Sequence, residues 1–256
     1  MNSRPSRHHG LATVALVVLA ACGGGAEATT ALFTLDAPRE DFYALPFPND
    51  LRRSPDNQLD LSEFPTNSFL MEQYRDAAAA SLDGFGLSQT IYVRFSDAID
   101  ITTLPTPDTS RLPDASVFLV NIDKTSPRFG EKIPVITTFR PAAGQTIGAN
   151  SLAIRPYPGF PLDEGTTYAA IVTDQVHAAD GANIVAAPDF IKLRDGAGAP
   201  DLALQRYAPL RDFISNSDGG TSSQVICATV FTTQTFTQYA QGLRAAVAAA
   251  ALPTAT

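Results

Sequence analysis

The chain has 256 residues and a formal charge of -8, with 18 basic and 26 acidic side chains. This charge argues against nucleic acid as a partner, because phosphate binding needs clustered lysines and arginines and the basic residues here are scattered. The hydrophobic fraction of 45% is ordinary for a globular protein, so the chain can form the core of one large or two small domains.

The N-terminus has the pattern of a bacterial lipoprotein signal. Arg4 and Arg7 make the start positively charged, an apolar run extends from Leu11 to Ala21, and small residues precede Cys22. We predict that residues 1–21 are a signal peptide and that Cys22 becomes the lipid-modified first residue. The eleven apolar residues are too few to cross a hydrocarbon core of about 30 Å, so a transmembrane helix is the weaker interpretation. An ordinary secretory signal with an incidental Cys22 is the alternative.

A lipid on Cys22 predicts a location in the cell envelope, at the outer membrane or cell surface, with the membrane as a partner. Removal of Arg4 and Arg7 takes the formal charge from -8 to about -10. Cys227 then has no second thiol to pair with, so we expect no intramolecular disulfide. The run around Cys227 is typical of a buried strand, which predicts an inert core thiol.

The first elements after the signal are a tether and a pinned loop. Residues 22–31 begin with three glycines and are predicted to be flexible. The segment from Leu45 to Leu51 contains two prolines and is expected to be extended, with Phe47 buried. Apolar residues at helical spacing predict a helix over 67–81.

From Thr90 onward, alternating apolar residues predict short strands at 90–95, 116–122, 133–139, 151–155 and 167–173. Asp180 and Gly181 form a hairpin signal that leads into 183–186. Short strands separated by prolines, without long helices between them, favour a mainly antiparallel β-sandwich.

The last third of the chain is mixed. A helical pattern covers 199–215, a strand is predicted over 225–232, and an amphipathic helix over 237–252. We therefore predict a mainly β, Ig-like sandwich over residues 32–235 with helical insertions, followed by a C-terminal helix in 236–256. The abrupt end of that helix favours the start of a further domain over a complete anchor module.

Several short motifs carry a family resemblance. They are Pro46–Leu51, Leu82–Phe85, Val93–Ser96, Ser116–Val120, Leu152–Pro156, Pro161–Ala169, Asp180–Gly181 and Val230–Gln234. In these motifs and their order, the chain resembles the N-terminal domain of the bacterial virulence-factor lipases, and it overlaps in pattern with S-layer-type bacterial Ig-like domains. The resemblance implies an Ig-like sandwich ahead of an α/β-hydrolase with esterase or lipase activity. The family's catalytic residues lie in the hydrolase, so the resemblance assigns none here.

The residues themselves offer no complete catalytic set. The Gly-x-Ser-x-Gly elbow of α/β-hydrolases does not occur, since the segments around Ser88 and Ser222 lack the second glycine. His177 is the one histidine after the signal and lies beside the predicted hairpin, where a surface role is expected. His177 and Cys227 are too far apart in sequence for zinc-ligand spacing.

Calcium is the remaining metal to consider. Asp50, Asp56, Asn57 and Asp60 are close in sequence, but the glycine and terminal glutamate of an EF-hand are missing, so we expect a solvated loop. The adjacent acids at 163–164 are predicted to form a turn. We predict no catalytic, cofactor-binding or metal-binding residue and no cofactor.

Three hypotheses follow. The preferred one is a lipid-anchored, non-catalytic Ig-like module that holds a hydrolase, fused to it or separate. The second is a complete serine esterase with an atypical triad of His177 and Ser88 or Ser222. The third is a surface adhesion or carbohydrate-binding module, which an exposed aromatic platform of Tyr43, Tyr157 or Phe160 would favour.

Overall fold

A computed structural model describes residues 27–36, 39–216 and 224–250. The predicted signal peptide (residues 1–21) and its lipid site Cys22 lie outside the described residues, as does Ser222.

The described strands and helices follow one another along the chain. The strands are β1 (Thr30–Ala31), β2 (Ile91–Arg94), β3 (Val117–Asn121), β4 (Lys132–Ile133), β5 (Val135–Arg140), β6 (Ser151–Pro156), β7 (Thr167–Thr173), β8 (Val185–Ala186) and β9 (Val225–Thr232). The α-helices are α1 (Phe69–Ser81), α2 (Pro188–Asp195), α3 (Asp201–Arg206), α4 (Ala208–Asn216) and α5 (Thr237–Ala249). Short 3-10 helices lie at Arg39–Ala44, Asp50–Arg52, Ile101–Thr103 and Thr109–Arg111.

The strands form three open sheets. One has the order β2-β6-β5, the second β4-β3-β7-β9, and the third pairs β1 with β8. The two larger sheets are antiparallel throughout and the small one is parallel. The fold is thus β-rich with helices, which confirms the coarser part of the predicted fold class.

The two larger sheets differ in how they are buried. In β2, buried and half-buried residues alternate, so one face of the three-stranded sheet meets the core. Every residue of β3 is buried, so the four-stranded sheet is covered on both faces. On the side of β9, helix α2 contributes the fully buried Phe190, which packs against Phe33 with ring centroids 5.4 Å apart.

The predicted strands agree with the structure except at local breaks. β7 has the predicted bounds, and so has β9. The strand predicted over 133–139 is divided into β4 and β5, which Pro134 separates. The turn at Gly181 forms with φ at +83°, but β8 then pairs in parallel with β1.

The helices depart further from the sequence pattern. The single helix predicted over 199–215 is divided into α3 and α4 at Tyr207. Helix α2 was not predicted, although Pro188 at its first turn and Gly196 at its C-cap, with φ at +80°, are ordinary boundary signals.

The structure also differs from the sequence predictions near both ends of the described chain. The range 22–31 is predicted as a flexible tether, but its last two residues form strand β1. Ala31 is fully buried, so the end of this range is part of the core. Helix α5 begins at the predicted residue, but none of its residues is buried.

Candidate functional site

The residues considered for catalysis do not form one site. Ser88 is exposed in the loop after α1, and His177 lies in the hairpin, bridged to Asn183. No hydrogen bond of the described residues joins Ser88 to His177. Cys227 is fully buried in β9, and burial raises the pKa of its thiol to about 12, so it is protonated and inaccessible at neutral pH.

The acidic residues considered as calcium ligands bind different protein partners. Asp50 is only 4% exposed, and its carboxylate accepts hydrogen bonds from the Thr232 backbone N–H at 3.0 Å and hydroxyl at 2.7 Å. Arg53 forms an ion pair with it at 3.4 Å. Asp60 instead accepts from Ser62, which holds the pKa of its carboxyl below the usual value. Within the described residues, no three potential metal ligands are grouped.

The sequence motif Pro46–Leu51 is a structural connector. The Asn49 side-chain amide donates to the Tyr207 hydroxyl at 2.8 Å, and the Thr229 hydroxyl donates to the Pro48 carbonyl. Together with Asp50, these contacts join the loop to β9 and to the helical insertion. Sequence reasoning missed this network because its partners are more than 150 residues apart.

The aromatic residues considered for a carbohydrate platform are not coplanar. Tyr43 is 5% exposed, and burial raises its pKa to about 12, so it is a core residue. Tyr157 and Phe160 are exposed at 42% and 48%, with ring centroids 6.3 Å apart, but their planes are inclined by 63°. They do not present one flat face to a ligand.

A groove of about 750 Å³ lies on the outer face of the three-stranded sheet. We call it the sheet groove, and the residues that define it here are Thr90, Tyr92, Thr138, Arg140, Ala153 and Arg155. The strand register places Tyr92, Ala153 and Thr138 side by side across the sheet. The loop after β5 forms one wall and is closed by a hydrogen bond of 3.2 Å from the Asn150 N–H to the Pro141 carbonyl.

The sheet groove is basic within an acidic chain. No aspartate or glutamate of the described residues lines it, whereas Arg140 and Arg155 do. At one end, Arg94 is half-buried, forms an ion pair with Asp41 and donates to the Ala149 carbonyl at 3.1 Å. This pairing leaves Arg140 and Arg155 as the source of positive charge.

A second groove, of about 930 Å³, lies between the 3-10 helix at Thr109–Arg111 and α4. The rings of Phe129 and Phe213 meet in it with centroids 6.1 Å apart. Its charges are mixed, because Asp108 and Glu131 accompany Arg111 and Lys132.

Helix α5 presents an apolar stripe to solvent. We use the name α5 stripe for Tyr239, Leu243 and Val247, which are 63%, 68% and 67% exposed and lie on one face at a spacing of four residues. Helix α1 also exposes apolar side chains, with Phe69, Leu70 and Tyr74 exposed at 73%, 57% and 68%. None of the helices in the described part of the chain is long and apolar enough to cross a membrane.

The start of α5 is firmly attached to the rest of the fold. Glu164 accepts hydrogen bonds from the Phe236 and Thr237 N–H groups at 3.1 and 3.0 Å and from the Thr237 hydroxyl. These bonds from Thr237 hold the pKa of Glu164 below its ordinary value. Asp83 accepts from the Thr235 N–H at 3.0 Å and from its hydroxyl, and the Tyr239 hydroxyl donates to the Ser81 carbonyl at the end of α1.

Comparison with known proteins gives only weak structural matches. No protein-family model matches the chain, and no curated protein matches it. Among solved structures, three matches are to the surface layer protein SbsC, with identities of 13%, 15% and 14% and a TM-score of 0.25 each. They cover 44%, 48% and 49% of this chain but only 14%, 16% and 30% of the SbsC chains. At this TM-score they carry no argument about fold or function.

Proposed function

We propose that this protein is a lipid-anchored, non-catalytic, Ig-like module that holds a lipase- or esterase-type hydrolase at the cell envelope. The observation that carries the proposal is the α5 stripe: an apolar helix face that is fixed at one end yet lies largely exposed, in a helix with no buried residue. A module that holds a partner needs such a surface, whereas an isolated globular domain does not.

The length of α5 supports a role in binding. It has 13 residues, and an isolated helix of about 12–15 residues is only marginally stable in water. Most helices in proteins are stabilised by packing of their apolar face. The caps from Glu164 and Asp83 fix the direction of α5, so the stripe is presented in one orientation to whatever covers it. The resemblance seen in the sequence motivates the choice of a hydrolase as that partner.

The Ig-like part of the proposal rests on the two larger sheets. Both are antiparallel, and both contribute to one hydrophobic cluster, for example through Val93 and Ile154 on one side and Leu119 and Ile171 on the other. Two antiparallel sheets with a shared core are features of a β-sandwich and support this part of the proposal.

The anchor rests on the sequence pattern before Cys22. Strand β1 begins at Thr30, eight residues after Cys22, so a lipid there would leave a short connection between the membrane and the fold. A short connection suits a module that positions a partner close to the bilayer.

The test is photo-crosslinking in living cells, with a photoreactive amino acid placed at Leu243 in the α5 stripe and, as matched control, at Gln241 on the opposite side of α5. We expect Leu243 to be joined to a protein segment with ester hydrolase activity, in the same polypeptide or a separate one, and Gln241 not to be. Equal yields from the two positions, or capture only of proteins without hydrolase activity, contradicts the proposal.

The absence of catalysis in this chain has its own test. We expect the purified 256-residue chain to show no turnover of short-chain p-nitrophenyl esters. Turnover that Ser88→Ala or His177→Ala abolishes would establish the esterase alternative instead.

A further inference from the structure

We propose that the sheet groove binds an acidic glycan. The groove holds about 750 Å³, enough for several sugar units, and none of its lining residues belongs to the α5 stripe. This binding activity is separate from the role of holding a hydrolase.

The first argument is charge. Arg140 and Arg155 are exposed in the groove, and neither has an ion pair with a carboxylate in the described part of the chain. Some other arginines are paired with a carboxylate, as Arg53 is with Asp50 and Arg94 with Asp41. A guanidinium presents a planar fork of N–H donors that matches a carboxylate, sulfate or phosphate group.

The second argument is spacing. The register pairs Arg140 with Ser151 and Ile136 with Arg155, so the two arginines are four residues apart along β6. At about 3.3 Å per residue this places their backbones roughly 13 Å apart along the strand direction. An extended ligand with repeated anionic groups matches this separation.

The third argument is the floor between the arginines. It carries the hydroxyl-bearing side chains of Thr90, Tyr92 and Thr138, and the small Ala153 leaves space above the central strand. The ring of Tyr92 is held edge-on against Tyr43 with centroids 5.5 Å apart. Hydroxyl groups and an aromatic ring complement the hydroxyls and C–H faces of sugars.

The same geometry disfavours an acidic peptide. A peptide added as a strand needs unpaired backbone groups at the edge of a sheet. The floor of the groove is the central strand β6, which pairs with β2 on one side and β5 on the other. The floor of the groove therefore offers side chains rather than unpaired backbone groups, and these suit a polyhydroxylated anion.

The experiment is calorimetric titration of the full-length protein in detergent micelles with three uronate oligosaccharides: oligogalacturonate, oligoguluronate and a hyaluronan hexasaccharide. Neutral maltohexaose, oligoglutamate and inorganic phosphate serve as comparisons. We expect at least one uronate oligosaccharide to bind with a Kd below about 1 mM and to weaken as salt increases. We expect the three comparison compounds to bind more weakly.

Two variants locate the site. Arg140→Ala and Arg155→Ala are each expected to weaken binding about 10-fold or more, while Arg111→Ala, an exposed arginine of the second groove, leaves it unchanged. Both target side chains are exposed, so their urea unfolding midpoints serve as a check on folding. The proposal is overturned if no uronate oligosaccharide binds, if oligoglutamate or phosphate binds as tightly, or if binding is indifferent to Arg140 and Arg155.

Discussion

Asn49 donates its side-chain amide to the hydroxyl of Tyr207 over 2.8 Å, and both residues are fully buried. The Tyr207 hydroxyl in turn donates to the Ala228 carbonyl at 3.3 Å. Through these bonds one short loop connects the helical insertion to strand β9. The loop belongs to the sequence motif Pro46–Leu51, whose polar residues therefore have a structural role.

Tyr207→Phe tests this connection. The substitution keeps the packed ring but leaves the Asn49 amide and the Ala228 carbonyl without this partner. We expect the free energy of unfolding to fall by about 1–3 kcal/mol, the usual cost of an unsatisfied buried polar group. Urea denaturation measures the change. Tyr157→Phe, at an exposed tyrosine, is the matched control and is expected to change stability by less than about 0.5 kcal/mol.

Two glycines predict opposite results for the same substitution. A Cβ at Gly84 would lie 2.6 Å from the Thr233 backbone, so Gly84→Ala forces two segments apart and should cost about 2–3 kcal/mol. Gly242 lies inside α5 with nothing within 4 Å, so Gly242→Ala should stabilise that helix by about 1 kcal/mol. Urea denaturation reports the first change, and slower amide hydrogen exchange in α5 reports the second. A neutral Gly84→Ala would contradict the close approach.

The burial of the Cys227 thiol predicts slow labelling by thiol reagents and a loss of protein stability at alkaline pH. Burial raises its pKa from 9.0 to about 12, so the native protein at pH 8 should react with a thiol reagent only as fast as it unfolds. The raised pKa favours folding fully below pH 9, and this contribution is lost as pH rises from 9 through 12. Cys227→Ala should therefore show a smaller loss of stability over that interval than the unsubstituted chain. Rapid labelling of the native protein would show that Cys227 is accessible.

The hydrogen bonds of Glu164 predict that the start of α5 becomes less stable at acidic pH. Hydrogen bonds from Thr237 lower the pKa of its carboxyl, so its contribution is present above the ordinary glutamate value near 4.5 and is lost as pH falls through the lower folded value. We expect amide exchange at the start of α5 to accelerate as pH falls below about 4.5, after correction for the intrinsic exchange rate. Glu164→Gln should remove this acceleration, since the amide does not titrate. Glu72→Gln, on the exposed surface of α1, is the control and should leave it in place.

Sequence alone predicted the regular strands well, because their burial follows their pattern. β7 and β9 alternate or continue in apolar residues over their whole length, and their bounds were predicted correctly. Where one residue overrides the pattern, the prediction was less accurate: Pro134 divides β4 from β5, and α3 ends at Tyr207.

The candidate sites were harder to predict because they depend on contacts between distant segments. Asn49 and Tyr207 are 158 residues apart, and no local signal joins them. The sheet groove needs the register of β5 against β6, which places Arg140 and Arg155 on one face. The exposure of Leu243 was likewise unexpected, because an amphipathic pattern predicts a covered face without saying what covers it.

The most direct test of the proposed anchored module is mass spectrometry of the N-terminal peptide of the protein isolated from its native membrane fraction. We predict that the mature chain begins at Cys22 and that this residue carries a diacylglyceryl group and an amide-linked acyl chain. A chain that still begins at Met1, or an unmodified Cys22 in protein recovered from the cytosol, would contradict the account.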